Sequence, residues 1–260
     1  MGFEVPAEAY DRFMGRYSRG LSSQLADLAG VGPGQRVLDV GCGPGALVGE
    51  LVGRVGAEGV AAVDPSESFV LAARKRHPGV DVRRASAEQL PFEDATFDAA
   101  LAQLVVHFMH DPVAGLAEMT RVTRTGGVVA ACVWDHASDQ GPLGVFWRAA
   151  RELDAAVHDE SDLAGVRQGH LVELFEAVGG LGSVGEAAFV VRVEHPTFQE
   201  WWEPFTRGVG PAGAYVASLD DVRREALRAR CHAALPAEPF TITARAWAAR
   251  GTRGVQPHDR

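Results

Sequence analysis

The sequence predicts an α/β fold, a parallel sheet with helices on both faces, and three observations predict it. Short apolar runs of strand length alternate with helix-length segments between residues 37 and 134. The first run, Val37 to Val40, empties into a loop with glycines at 41, 43 and 45, and helix-forming residues follow at once. A strand, a glycine loop and a helix start build a nucleotide-type site at the carboxyl edge of a parallel sheet. Finally, 47% hydrophobic and 23% charged residues make an ordinary globular composition with ample material for a core.

The elements follow in order. Residues 7–29 read as a helix, with Leu21, Leu25 and Leu28 on one face, broken by Gly30, Gly32, Pro33 and Gly34. Strand 37–40 and helix 46–55 flank the glycine loop. Residues 59–63 form a second strand that ends at Asp64-Pro65-Ser66. Helix 67–77 stops at Pro78-Gly79, strand 80–84 follows, and strand 97–103 precedes helix 112–124. Gly126-Gly127 turns into an apolar strand over 128–134. Beyond Trp134 the rhythm changes: helix 141–158, helix 168–178, an alternating strand 187–194, a helical insert over 197–235 and a strand over 240–248. The segment 251–260 is polar and is expected to fray.

The formal net charge is −9, and no basic patch stands out, which argues against nucleic acid as a partner. The three cysteines, Cys42, Cys132 and Cys231, are too few and too scattered for a disulfide framework or a zinc site. The first residues lack a basic region followed by an apolar run, and no apolar stretch approaches the roughly 20 residues that span a membrane. A cytoplasmic protein, monomer or homodimer, is expected.

Gly41, Gly43 and Ala46 satisfy a G-x-G-x-x-A dinucleotide pattern, and Asp64 follows where a ribose-binding acid belongs. That pattern leaves NAD open. Two details favour another ligand. Asp39 places an acid inside the apolar strand just before the loop, where it repels pyrophosphate and suits a cation. Gly45 adds a G-x-G-x-G spacing. S-adenosylmethionine, with a sulfonium, an α-ammonium and no phosphate, fits both.

The segments Val37-Leu38-Asp39-Val40-Gly41-Cys42-Gly43-Pro44-Gly45, Val63-Asp64-Pro65-Ser66, Ala85 to Phe92 and Phe97-Asp98-Ala99 together resemble the class I S-adenosylmethionine-dependent methyltransferases. The branch resembled is the ubiquinone/menaquinone-biosynthesis type, which acts on small molecules. The resemblance covers residues 10–134 well and is thinner beyond. It implies a Rossmann-like, mostly parallel seven-stranded sheet with helices on both faces, the last strand antiparallel and helical lid inserts. It also implies one methyltransferase domain: residues 1–30 cover the cofactor, 36–134 bind it, and 138–165 with 197–235 form a substrate lid.

The resemblance assigns roles. Asp39 and the loop Gly41, Cys42, Gly43 and Gly45 would hold the methionine portion of the cofactor. Asp64 would accept from both ribose hydroxyls, as only an ionised carboxylate can in bidentate fashion. Pro65 and Ser66 flank ribose and adenine, and Ala87 and Glu88 lie near the adenine edge. Ser86 stands where relatives often carry an acid. The backbone of Gln103 would accept from the cofactor's ammonium. In the segment 10–17, Tyr10 and Tyr17 would shield the cofactor and Arg16 would pair with its carboxylate, unless this is only an amphipathic helix packed on the sheet.

Methyl transfer from a sulfonium chiefly needs alignment of the nucleophile and exclusion of water. A hydroxyl acceptor adds the need for a base, for which His107 and His110 lie just after the fourth strand; either is equally readable as a packing residue. No histidine–carboxylate cluster has metal-ligand spacing, so no metal is expected. Trp147, Trp201, Trp202, Phe205 and Tyr215 fall in the two inserts, as the inserts' own core or as an apolar receptacle for a flat or lipophilic acceptor. The expected activity is methyl transfer to O or C of a small, apolar or aromatic metabolite. The alternatives are a methyltransferase-like protein that binds cofactor without turnover, and an NAD(P)-dependent oxidoreductase, against which the absence of a Tyr-x-x-x-Lys pair speaks.

Overall fold

Residues 7–254 are described by a computed structural model. Seven strands form one sheet in the order β3-β2-β1-β4-β5-β7-β6. These are β1 (Val37–Val40), β2 (Val60–Asp64), β3 (Asp81–Arg84), β4 (Phe97–Gln103), β5 (Thr123–Trp134), β6 (Leu181–His195) and β7 (Phe240–Arg253). The first five are mutually parallel, and β7 runs antiparallel to both β5 and β6. Every residue of β1 and β2 is buried, which explains why they read as continuous apolar runs: helices cover both faces of a parallel sheet.

One apolar layer packs α5 (Pro112–Val122) and α7 (His170–Val178) on the sheet, with Leu116, Met119, Leu171 and Phe175 fully buried. The opposite layer joins α1 (Ala7–Tyr10), α2 (Arg16–Leu28), α3 (Ala46–Val55) and α4 (Glu67–Arg76) with both inserts. The first insert contributes α6 (Gly144–Leu153). The second contributes α8 (Phe198–Trp202), a 3-10 turn (Glu203–Arg207), α9 (Gly210–Ser218) and α10 (Asp221–Ala234). Local chemistry fixes the helix starts. Asp111 caps α5 by accepting from the Ala114 amide at 3.0 Å, with Pro112 following, and Asp220 caps α10 through the Arg223 amide at 2.8 Å.

Four expectations need correction. The helix over 7–29 is interrupted by a π-helical turn, Asp11–Gly15, between α1 and α2. Helix 141–158 shrinks to α6, and β6 begins at Leu181 rather than 187. Residues 251–253 do not fray: they complete β7, where Gly251 pairs with Val129 and Arg253 with Leu181. The remainder of that polar segment, from 255 on, and the amino-terminal residues before Ala7 lie outside the described residues.

Candidate functional site

The carboxyl ends of β1, β2 and β4 open into a cavity of about 260 Å³. Its lining includes Tyr10, Gly41, Gly43, Asp64, Pro65, Ser66, Ser86, Ala87, Glu88 and Gln103, all expected at a cofactor site. A small adjoining recess is lined by Tyr10, Ser18, Asp39, Cys42, Gly43 and Gln103. The glycines make this approach possible. Gly41 has φ +71°, and a Cβ there would meet the Val105 side chain at 2.3 Å. Gly43 also has a positive φ, +52°, yet no heavy atom lies within 4 Å of where its Cβ would stand, so it leaves open space at the cavity wall. Gly45 lines neither cavity. With φ +96° it turns the chain into α3, packed against the His77 ring.

Asp64 ends β2 with its carboxylate held by two backbone amides, Gly43 N–H to Oδ2 at 2.9 Å and Ser66 N–H to Oδ1 at 2.8 Å. Each oxygen keeps a lone pair for another donor. Burial raises its pKa, against which those amides work. Asp39 is different. It is 1% exposed, and neither of its oxygens finds a well-formed hydrogen bond. Desolvation first, and then the Asp64 charge, push its pKa up to about 8. Gln103 Oε1 is likewise buried without a partner, while Gln103 Nε2 donates to the Ser18 carbonyl at 3.0 Å and the Ser18 hydroxyl is within reach of the Tyr10 phenol. Buried polar groups are nearly always satisfied. Acceptors from Asp39 and Gln103, with a hydroxyl beside them, therefore mark a place for a polyvalent cationic donor.

A second chamber of about 40 Å³ adjoins the first, and Tyr10, Leu104 and Phe108 line both. Phe13, Met14, Trp134 and Leu143 supply apolar wall, and His107, His136 and Glu160 supply its polar groups. His107 stands on the 3-10 turn Val106–Phe108 that follows β4, and Leu104, bent into the left-handed region at φ +62°, sets the direction of that turn. Burial, reinforced by His136, holds the His107 pKa well below the ordinary imidazole value. The His136 pKa is also lowered by burial, which Glu160 opposes. His110, by contrast, is exposed at the first cavity, and its amide donates to Glu88 Oε1 at 2.8 Å.

Several expected site residues lie elsewhere. Arg16, just after the π-helical turn, faces β6 and α8, pairing with Glu200 and donating to the Glu194 carbonyl. Tyr17 is buried, its hydroxyl 2.8 Å from His195 Nε2 and its ring edge-on to Trp134. Neither lines the first cavity or its recess. Trp147, Trp201, Trp202, Phe205 and Tyr215 do not line the chamber. They pack on one another around Phe146, which stacks on Phe205 with ring centroids 4.5 Å apart. The inserts reach the chamber through Leu143, Glu160 and the start of α9 with Val209 before it instead.

Sequence reasoning missed Ser18, Phe69, Phe13, Met14 and the pair His136 and Glu160. Ser18 directly follows the segment already suspected of covering a cofactor. His136 closes an apolar strand as His107 follows one, a parallel that spacing alone left mute. Glu160 carries no local signal at all.

Residues 38–131 match the methyltransferase domain family. A demethylmenaquinone methyltransferase from Renibacterium salmoninarum is 36% identical over 112 residues, which is 43% of this chain and 46% of that protein. A malonyl-[acyl-carrier protein] O-methyltransferase from Serratia marcescens is 33% identical over 151 residues, 56% of this chain and 58% of that protein. The chain thus spans about half the length of these curated relatives. Among solved structures, a Haemonchus contortus phosphoethanolamine N-methyltransferase bound to S-adenosylhomocysteine has a TM-score of 0.58 at 17% identity, over 96% of this chain and 57% of that one. A geranyl diphosphate methyltransferase in complex with S-adenosylmethionine gives 0.51 at 19%, over 90% of this chain and 85% of that one. At such identities the likeness carries the fold.

Proposed function

From a methyltransferase domain in residues 38–131 set in the class I methyltransferase fold, we propose that the protein transfers a methyl group from S-adenosylmethionine to O or C of a small, apolar or aromatic acceptor. One observation carries this reading. The buried, unsatisfied acceptors of Asp39 and Gln103, beside the Ser18 hydroxyl, gather at one end of a cavity whose other end holds the amide-oriented carboxylate of Asp64. An α-ammonium satisfies the first group and a ribose diol the second. A dinucleotide would bring its pyrophosphate to the glycine loop, where the Asp39 carboxylate would repel it.

When bound, the cofactor supplies an electrophilic methyl on a sulfonium. The protein's residues then bind, orient and exclude water. Asp39, Ser18 and Gln103 take the ammonium, and Asp64 takes the ribose hydroxyls. Phe69, in tilted contact with Tyr10 at 5.5 Å, and Ala87 and Met109 supply the apolar walls of the cavity. Leu104 and Phe108, shared by both cavities, form the boundary across which an acceptor would meet the methyl group. His107, kept neutral by burial, would orient an acceptor hydroxyl by accepting its hydrogen bond, and the same burial makes it a weak base for that proton. The relatives named for demethylmenaquinone and for malonyl-[acyl-carrier protein] support methyl transfer as the class, and they differ from each other in acceptor. The net charge of −9 is consistent with a partner other than nucleic acid.

Isothermal calorimetry with S-adenosylhomocysteine and with NAD tests the cofactor reading. Binding of the former in the micromolar range without the latter is expected, and the reverse would overturn it. Transfer of labelled methyl to a panel of phenols and quinols tests turnover: product with none of them and with no cell extract would leave a binding protein without catalysis.

A further inference from the structure

The chamber beside the cofactor cavity gathers two histidines and a carboxylate from three separate elements. His107 follows β4, His136 follows β5, and Glu160 lies between α6 and α7. One ligand atom from each lies within 4.8 Å of the others, and all three residues are buried. We propose that His107, His136 and Glu160 form a binding site for a single divalent transition-metal ion of the zinc class.

The contacts within the cluster favour an ion over a plain hydrogen-bonded triad. Glu160 Oε1 stands 3.9 Å from His136 Nε2, too far for a direct hydrogen bond and about half an ångström wider than two ligands of a tetrahedral ion, so an ion would draw the two together. Glu160 Oε2 accepts from the Trp147 indole N–H at 2.9 Å, the kind of outer hydrogen bond that orients a ligating carboxylate. Independently, His107 Nδ1 is buried with no partner, an unpaid cost in a ring that otherwise only packs on Phe108 and faces His136. The sheet edge sets both histidines, while Arg151 ties Asp139 to Asp159 and so fixes the loop that presents Glu160.

Size and donor type narrow the ligand. A chamber of about 40 Å³ holds an ion with a water or two, or a single polar group of a larger molecule. Two imidazoles and one carboxylate suit zinc, cobalt, iron or nickel; calcium and magnesium want oxygen donors throughout. Three protein ligands leave a coordination position open toward the chamber. If the cofactor reading also holds, that position is where an acceptor oxygen would be anchored, and His107 would then serve as a ligand rather than a base.

The test is a titration of the chelator-stripped full chain with Co(II), read by visible absorption and equilibrium dialysis. One equivalent bound, with the bands of a four- or five-coordinate site and displacement by Zn(II), is expected. Affinity should drop at least ten-fold in His136→Ala and in Glu160→Gln, and about ten-fold in Trp147→Phe. Absence of stoichiometric Co(II), or equal binding in both ligand variants, would overturn the proposal. Glu160→Gln is nearly isosteric and decides the matter if His136→Ala does not fold. S-adenosylhomocysteine calorimetry on the same samples separates the two readings, since its failure beside an intact cobalt signal would strike the cofactor assignment alone.

Discussion

Two buried carboxylates differ in what surrounds them, and their behaviour should differ accordingly. Asp64 is held by two amides and is ready to accept more, so Asp64→Ala should weaken S-adenosylhomocysteine by about 1–3 kcal/mol in calorimetry. Asp39 has less support, a backbone hydrogen bond from Val48 set against full burial, and its pKa is pushed up to about 8 from an ordinary 3.8. Between those values the cofactor-free fold holds a proton that the unfolded chain has released. Its stability should therefore decline as pH rises from about 4 to about 8, and Asp39→Asn should flatten that decline in denaturant titrations. Binding of an ammonium requires the carboxylate, so S-adenosylhomocysteine affinity should rise between about pH 6 and pH 8, with proton release, and Asp39→Asn should lose the slope. Both acids were legible because an acid inside or ending an apolar strand is anomalous on local grounds. Arg16 and Tyr17 were misplaced because their partners, Glu200 and His195, lie far along the chain. His136 and Glu160 escaped for the same reason.

At the scale of elements, fully buried strands and glycine or proline punctuation are readable, and β1, β4 and α3 fall where periodicity puts them. The π-helical turn Asp11–Gly15 has no such signature, since the same residues suit an α-helix. The long antiparallel pair β6 and β7 runs through Gly182, Gly185 and Gly251, which read as breakers but are carried by cross-strand pairing and a register shift. The aromatic rings of the two inserts pack on one another and on Phe13, within the larger apolar layer on that face of the sheet. Phe146 is fully buried, touching rings from both inserts. Phe146→Ala should cost about 3–5 kcal/mol, read from the denaturation midpoint, by uncoupling the two inserts.

At the scale of the molecule, the sheet order places β1 beside β4 at the point where strand order reverses, where a doubly wound sheet binds its ligand. The alternating rhythm of strands and helices made this much legible; the course of the inserts over it was not, because their contacts are among rings distant in sequence. A ligand there touches Tyr10, the glycine loop, Asp64 and Gln103 at once. Saturation at 100 times the dissociation constant should therefore stabilise the whole fold by about 2.7 kcal/mol in chemical denaturation. The placement of β7 between β5 and β6 has a further consequence, for biosynthesis. β5 and β6 emerge from the ribosome well before the strand that joins them. A nascent chain paused before Phe240 leaves the β5 edge open and β6 with no strand to pair with, a ready template for pairing with a neighbouring chain.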